Sequence, residues 1–285
     1  MITTLYNDAQ LNNENNPIDF NAQLPVIAHG DSWFAFGSIA PWATADMLNH
    51  VSLPQDTGIV NYAAPMQTLQ GMADRDLYPR FVRSMTLRGM PKWRAILLSG
   101  GGNDLFEALR ASPSIALGQR LLRTPAEWTG GNGPAKYLSD AGWRLLLGRL
   151  MSAYTQFDEV RHQSTNPDAP IITHVYDYAT PRNAAALSGL IGPWLCGQFK
   201  LFGIPEEDWV AVTHELLDRF NTFLLTEVSV RIANFHVADT SGILAPAKTT
   251  DKGSTAHWKN EVHPNTTGYK KLAKVFSDKV REVML

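Results

Sequence analysis

The sequence is poor in cysteine and in charged residues. Cys196 is the one cysteine among 285 residues, so the chain can form neither a disulfide within itself nor a thiolate cluster for a metal. Aspartate, glutamate, lysine and arginine make up 18% of the residues, against roughly 25% in an average soluble protein. The 25 basic and 27 acidic residues leave a formal net charge of -2. This balance gives no electrostatic reason to expect a nucleic acid or an anionic membrane as a partner.

Long hydrophobic runs are also missing. The longest, such as residues 95–98 and 223–225, fall far below the ~20 residues that span a bilayer, so we expect no transmembrane segment. The first residues, MITTLYNDAQLNNENNP, contain neither a basic region nor an apolar core, and they predict no secretory signal. A cytoplasmic location is the default expectation, with export by a route that needs no signal as the alternative.

Apolar residues are plentiful, with 44% hydrophobic and 10% aromatic side chains, which is enough to form a large core. Residues 1–23 are polar and rich in asparagine, so they predict a surface arm without a strand or helix. We expect residues 24–285 to form a single domain, because the sequence shows neither a repeat nor a linker.

Short apolar runs alternate with longer helical patterns after residue 24. This alternation predicts an α/β fold whose five parallel strands are joined by helices. The loops at 124–134 and 180–205 are rich in glycine, proline and tryptophan, and we expect them to shape a substrate site at the carboxyl edge of the sheet. The predicted strands are 25–29, 58–62, 94–99, 170–176 and 234–238, and the predicted helices are 42–50, 141–161, 206–232 and 266–284.

The first predicted strand runs directly into Gly30, Asp31 and Ser32. A serine at the point where a buried strand turns towards a helix presents its hydroxyl at the carboxyl edge, beside free backbone N–H groups. Taken alone, the tripeptide is more typical of an ordinary turn, because glycine, aspartate and serine are all turn formers. The motif therefore predicts either a nucleophile or a turn.

The third predicted strand ends in three glycines, residues 100–102, followed by Asn103 and Asp104. Glycines let the backbone approach a ligand closely, and Asn103 offers an amide N–H to a developing oxyanion. A phosphate loop is the rival interpretation, but neither the lysine of a Walker A motif nor the GxGxxG spacing is present. We expect Asp31 and Asp104 to form hydrogen bonds in turns and not to act as acid or base.

His263 stands on the loop that enters the last predicted helix, before Pro264. A metal role for the histidines is not favoured. His257 and His263 have no third ligand nearby, and His214 begins an HExxH-like pattern whose second histidine is replaced by Asp218. His29 and His174 lie at strand ends, where we favour packing or hydrogen bonding over catalysis, with a place along the cleft left open for either.

The serine near the start, Gly-x-x-Asn after a middle strand and His-Pro-Asn before the last helix form an ordered set. In this set the chain resembles the SGNH hydrolases, also called the GDSL esterase and lipase superfamily, from Gly30 to His263. The resemblance implies a flavodoxin-like three-layer α/β/α sandwich. It also implies cleavage of a small-molecule, lipid or glycan ester through an acyl-enzyme, with neither a metal nor an organic cofactor. The motifs GDSW, GGGND and YDY are similar to a bacterial branch of this family.

The resemblance also implies residue roles. Ser32 corresponds to the nucleophile and to one backbone oxyanion donor, Asn103 to the side-chain donor and His263 to the general base. In the second block, residues 61–66, Met66 stands where the family has a glycine whose N–H completes the oxyanion hole, and Gly71 is the alternative if the alignment shifts. A methionine disfavours the positive φ that glycine adopts readily. Residues expected around the cleft without reacting are Asp31, Gly102, Asp104 and His174.

The third member of the triad departs from the family. An aspartate normally stands three residues before the histidine, and this chain has Asn260 there. We predict a dyad of Ser32 and His263 that is oriented by Asn260 or by a backbone carbonyl, with Asp239 or Asp251 as replacement acids. Two other activities stay open: an acyltransferase, and an inactive protein of this fold that only binds acyl or glycan ligands.

Overall fold

The computed structural model describes residues 2–13, 15, 18–21, 23–35, 46–128, 130–131, 133–186, 189 and 191–284. This part of the chain is built on a sheet of six strands, and every neighbouring pair is parallel. The strands are β1 Thr3–Tyr6, β2 Leu24–Gly30, β3 Thr57–Asn61, β4 Ala95–Ser99, β5 Ile171–His174 and β6 Phe235–Ala238.

The strand order is β1-β3-β2-β4-β5-β6. Without β1, the other five strands have the 2-1-3-4-5 order of flavodoxin-like folds. The predicted α/β class, parallel sheet and flavodoxin-like arrangement are therefore confirmed. The order reverses at β2, because the chain moves from β2 to β3 on one side and then crosses to β4 on the other. A crevice opens at such a switch point, outside the carboxyl ends of the strands.

The N-terminal segment differs from the prediction. We expected five strands and an arm without regular structure, but Thr3–Tyr6 forms a sixth strand that pairs with β3 from Thr57 to Val60. The side chains of Leu5 and Tyr6 are partly buried against the core. An edge strand needs few apolar residues, because its main-chain hydrogen bonds to one neighbour provide the pairing. That residues 24–285 form one domain stays a prediction.

Helices cover both faces of the sheet. Helices α3 (Leu69–Met72), α4 (Pro79–Thr86) and α5 (Gly102–Leu109) contact α6 (Asp140–His162), whereas α10 (Thr266–Met284) contacts β5 and β6. Right-handed crossovers place these two groups on opposite faces. The helices are α1 Asp8–Leu11, α2 Ser32–Ala35, α3 Leu69–Met72, α4 Pro79–Thr86, α5 Gly102–Leu109, α6 Asp140–His162, α7 Cys196–Leu201, α8 Trp209–Phe223, α9 Ser229–Arg231 and α10 Thr266–Met284. Short 3₁₀ helices are Leu48–His50, Leu117–Gln119, Pro125–Glu127, Pro134–Tyr137 and Glu206–Asp208, and a π-helical turn spans Leu224–Val228.

The three longest predicted helices are present. The last has the predicted bounds, and the predicted helix at 206–232 is divided into 3₁₀, α and π segments. In the predicted helix at 42–50, residues 42–45 lie outside the described residues, and the rest contains only the 3₁₀ turn. The predicted loop at 180–205 includes α7, so that stretch is not entirely irregular. Within the described residues, no helix combines the length and apolar character of a membrane span.

The centre of the sheet is buried on both faces. All residues of β4 and the last five of β2 are buried, as expected for parallel strands that are covered by helices on both sides. Gly30 at the end of β2 lies opposite Ser99 at the end of β4. A Cβ on Gly30 would lie 2.9 Å from the Ser99 carbonyl oxygen, so only glycine allows these strand ends to approach so closely.

Two glycines of α6 give a matched test of its packing. Alanine is favoured over glycine inside a helix by ~1 kcal/mol, and a Cβ on Gly148 would meet nothing within 4 Å. A Cβ on Gly142, however, would lie 2.0 Å from the backbone oxygen of Arg120. We expect Gly148→Ala to raise the free energy of unfolding by up to ~1 kcal/mol, and Gly142→Ala to lower it by about 1–3 kcal/mol. Urea unfolding of both variants measures this, and equal shifts would contradict the packing.

Candidate active site

Ser32 lies at the switch point of the sheet, directly after β2. The Asp31 N–H donates to the Ser99 carbonyl oxygen at 2.9 Å, which extends the pairing of β2 with β4, and Ser32 then begins α2. The serine is buried, and its Oγ lies 2.8 Å from Nε2 of His263. The structure therefore brings together two predicted site residues that are 231 positions apart.

Asn260 contacts the other ring nitrogen of this histidine. Its Oδ1 lies 3.0 Å from Nδ1 of His263, and it also accepts the backbone N–H groups of Val262 at 3.1 Å and of His263 at 2.8 Å. Because two backbone donors face this atom, it must be the amide oxygen. The oxygen therefore accepts the Nδ1 hydrogen, and Nε2 is left to accept the serine proton.

The two replacement acids do not reach the imidazole. Asp239 accepts hydrogen bonds from Ser241, and Asp251 accepts them from Lys248 and Thr255. Of the three residues considered for this position, the structure places only Asn260 against His263.

Burial determines the charge state of the histidine. His263 is almost fully enclosed, and this desolvation lowers its pKa to about 3, since a charged ring is disfavoured away from water. The imidazole is therefore neutral at neutral pH, and its Nε2 lone pair can take a proton. When an electrophile approaches Ser32, this geometry lets the hydroxyl proton pass to His263 as the oxygen attacks.

Met66, on the loop after β3, and Asn103, in the first turn of α5, line the same cleft as Ser32. Met66 has a φ of 66°, so the main chain adopts the conformation that glycine favours in spite of the side chain. One amide hydrogen of Asn103 is donated to the Gln67 carbonyl at 2.8 Å, which ties the start of α5 to the loop after β3. The alternative residue Gly71 lies in α3, where its N–H donates to Thr68.

Asp31 points away from the reacting atoms into a buried network. Its Oδ1 accepts from the Trp33 N–H at 2.9 Å and lies 2.8 Å from Ser99 Oγ, and its Oδ2 accepts from the Tyr176 hydroxyl. His174 joins this network through Nε2, which lies 2.9 Å from Ser99 Oγ. His174 is thus connected to the site only through other side chains.

The other two residues expected around the cleft have structural positions. Asp104 accepts the backbone N–H groups of Leu69 at 2.6 Å and of Gln70 at 3.3 Å, which anchors the start of α3. Gly102 lies against the ring of Tyr176, where a Cβ would be 2.9 Å from Cζ. Asp104 thus joins α5 to α3, and Gly102 lets α5 approach Tyr176 closely.

The sequence did not reveal Glu261, the residue that holds the histidine loop in place. Its fully buried carboxylate accepts backbone N–H groups from Arg182 at 3.1 Å and from Leu195 and Cys196 at 2.9 Å, and also from Trp194. Such charge-assisted bonds fix one loop against the other. No spacing in the sequence indicated this pairing, because its partners are 65–79 residues away.

Arg182 also joins the loop at 180–205 to the loop that carries His263. Its guanidinium donates to the backbone oxygen of Asn260 at 2.6 Å and to that of Gly253 at 2.6 Å. The ring of Trp194 stands edge-on to His263, with centroids 5.3 Å apart. The loop at 180–205 and the loop that carries the histidine therefore form one packed unit.

The cleft beside Ser32 is narrow and mostly apolar. Its volume is about 50 Å³, which would hold only a few water molecules. Apolar side chains form most of its wall, among them Leu105, Phe106, Ile191, Trp194, Leu217 and Val262.

Comparison with known proteins gives similarity in structure only. No family model matches the chain, and no curated protein matches it. Among solved structures, phospholipase A1 from Streptomyces albidoflavus is 13% identical with a TM-score of 0.47, covering 90% of this chain and 100% of that one. A carbohydrate acetylesterase family member from Sinorhizobium meliloti is 10% identical with a TM-score of 0.43, covering 91% of this chain and 98% of that one.

A GDSL-like lipase from Bacteroides thetaiotaomicron is also similar, at 10% identity and a TM-score of 0.39, covering 94% of this chain and 90% of that one. At 10–13% identity and TM-scores below 0.5, these similarities indicate no function for this chain.

Met66 allows a test of the backbone conformation beside the cleft. A positive φ outside glycine costs of order 1 kcal/mol or more, and 63% of the Met66 side chain is exposed, so its removal loses little packing. We expect Met66→Gly to raise the free energy of unfolding by about 0.5–1 kcal/mol. Met66→Ala keeps the Cβ and should gain nothing. Equal stability of the two variants in urea unfolding would show that residue 66 is not strained.

Proposed function

We propose that this protein is a serine hydrolase that cleaves a carboxylic ester through an acyl-enzyme intermediate. The observation that carries the proposal is the 2.8 Å contact between Ser32 Oγ and His263 Nε2, at the crevice where parallel α/β sheets bind ligands. A hydroxyl next to a neutral, correctly oriented imidazole is the arrangement that activates serine.

The proposed reaction has two halves. Ser32 attacks the ester carbonyl while His263 takes its proton and then returns that proton to the departing alcohol. Water repeats the sequence on the acyl-enzyme, with His263 again as the base. The backbone N–H groups of Ser32 and Met66 and the second amide hydrogen of Asn103 are the proposed donors to the oxyanion.

Asn260 performs half of the usual task of a triad acid. Its oxygen holds the His263 ring in the required tautomer, but an amide stabilises an imidazolium weakly. An aspartate-to-asparagine change costs about 10⁴ in kcat in a well-studied protease, partly because the amide selects the wrong tautomer there. Here the two backbone N–H groups that face the oxygen prevent that error, and the missing charge predicts a modest turnover.

The dimensions of the cleft favour a short acyl group. A volume of about 50 Å³ with an apolar wall suits a small uncharged chain better than a long one, because burial of apolar surface contributes only where the chain fits. We therefore propose esters of short acids, with the alcohol side left open among small molecules, lipids and glycans. We expect p-nitrophenyl acetate to be hydrolysed with a higher kcat/KM than p-nitrophenyl esters of long-chain acids.

Labelling with a fluorophosphonate tests the nucleophile directly. We expect a single modified peptide that contains Ser32, and we expect Ser32→Ala to lose both the label and ester hydrolysis by on the order of 10⁴-fold or more. Ser114→Ala removes an exposed serine outside the cleft and should leave both unchanged. A folded protein with no label would favour a binding function, and a label elsewhere would identify another nucleophile.

The pH dependence tests the histidine and its partner. A general base works only when neutral, so kcat/KM falls as the pH drops through its pKa. Since burial lowers the pKa of His263 to about 3, the acidic limb should lie far below the ordinary value of histidine. Asn260→Asp places a carboxylate beside Nδ1, which favours the charged ring and should move that limb to higher pH.

Asp239→Asn and Asp251→Asn are the matched controls, because both carboxylates bond elsewhere. Neither should shift the acidic limb. A shift in either control together with no shift in Asn260→Asp would assign the third position to that aspartate.

A further inference from the structure

A buried chain of polar groups runs behind Ser32 and takes no part in the proposed reaction. Nδ1 of His174 lies 2.9 Å from the Val175 carbonyl oxygen, and Nε2 lies 2.9 Å from Ser99 Oγ. Ser99 Oγ in turn lies 2.8 Å from Asp31 Oδ1. Asp31, Ser99 and His174 are at most 2% exposed, so bulk water does not reach these side chains.

Counting the hydrogens in this chain exposes a conflict. A carbonyl oxygen can only accept, so the contact with Val175 requires a hydrogen on Nδ1 of His174. In a neutral ring Nε2 then has none and must accept the Ser99 hydroxyl hydrogen. An ionised Asp31 needs the same hydrogen for its Oδ1. Ser99 has one hydroxyl hydrogen for these two acceptors. The acceptor that does not receive it would place its lone pair against a lone pair of Ser99 Oγ in a buried site.

We propose that Asp31 is a protonated, neutral acid in the folded protein at neutral pH. Its Oδ1 then donates to Ser99, Ser99 donates to Nε2 of His174, and Nδ1 of His174 donates to Val175. Oδ2 still accepts from the Tyr176 hydroxyl. With this one additional proton, every polar atom in the series from Asp31 to Val175 has a hydrogen-bond partner.

Placing this proton on His174 would also satisfy the count, but it would leave an imidazolium and a carboxylate buried together. Taking both charges out of water costs more than their attraction returns unless further groups compensate them. Burial raises the pKa of Asp31 to about 6 and lowers that of His174 to about 4, so burial shifts each group towards its uncharged form. The carboxylate of Asp104 adds repulsion that favours a neutral Asp31.

The other titratable groups around Asp31 do not reverse this preference. Tyr154, Tyr176 and Tyr269 face it, and burial raises the pKa of all three, so they stay neutral. His263, beyond Ser32, is neutral as well. The hydrogen bonds from Asp31 to His174 are complete only when Asp31 is protonated. This stabilises the protonated form and raises the pKa of Asp31 beyond the effect of burial alone.

A neutral Asp31 has a consequence for catalysis, which rests on the proposed function. The transition state of ester cleavage places negative charge on the carbonyl oxygen of the substrate, next to Ser32, and a carboxylate on the preceding residue would oppose it. Asp31 is thus a positioning residue that holds the start of α2 through the Trp33 N–H without adding charge. When the pH rises through its pKa, the charge appears and kcat/KM should fall.

Infrared difference spectroscopy on the full chain tests the proton itself. At pH 7 we expect the carbonyl band of a protonated carboxylic acid, clear of the amide bands, and we expect Asp31→Asn to lack it. Asp177→Asn is the matched control, because Asp177 is equally buried but both of its oxygens accept backbone N–H groups. The band should persist in that variant. A wild-type protein without the band overturns the proposal.

The tautomer of His174 gives a second measurement that needs no variant. With ¹⁵N-labelled histidine, the wild-type protein should show a hydrogen on Nδ1 of His174 and an accepting Nε2. Hydrogens on both nitrogens would place the proton on His174, and a hydrogen on Nε2 alone would remove the conflict; either result overturns the proposal. This decides the matter even where Asp31→Asn does not fold.

The rate measurement is separate from both spectra. The alkaline limb of kcat/KM that titrates with the infrared band should be absent from Asp31→Asn, whatever the plateau rate of that variant. The same limb in both proteins would overturn the catalytic consequence of the proton. A wild-type protein without hydrolysis would refute the proposed function and leave the infrared test of Asp31 intact.

Discussion

The parallel pairing of β2 with β4 determines where the chemistry of this protein lies. The register sets Gly30 opposite Ser99, and the carboxyl ends of both strands therefore open at one edge of the sheet, where the chain order reverses. Ser32 follows β2 and Asn103 follows β4, so two distant motifs meet at this edge and line one cleft. Displacement by one residue would turn the alternating side chains to the other face.

His263 lies on a third segment that reaches this edge, and the buried side chains of Glu261 and Arg182 hold that segment in place. Glu261 accepts backbone N–H groups from the loop at 180–205, and Arg182 donates to the backbone of Asn260. Breaking such buried partners is costly because each leaves uncompensated polar groups. A loop fixed in this way can position an imidazole with an amide in place of a carboxylate, since the backbone and not the charge sets its orientation.

The sequence was informative wherever a local rule applied. Alternating apolar runs and helical patterns gave the α/β class, and the last helix was predicted with its observed bounds. The sequence did not predict the edge strand at Thr3–Tyr6, because the stability of this strand comes from pairing with β3 and not from its own composition. The π-helical turn at Leu224–Val228 left no signal either, since hydrophobic periodicity does not resolve a single widened turn.

For the candidate site, the sequence by itself determined which residue types stand at strand and helix ends, and so it indicated Ser32, Asn103 and His263 before any contact was known. Only the tertiary structure decided that Asn260, and neither Asp239 nor Asp251, faces His263. Tertiary structure likewise brought Ser99 between Asp31 and His174 and set Glu261 against the loop. These are hydrogen bonds between residues far apart in the chain, and their partners depend on packing, which no local pattern encodes.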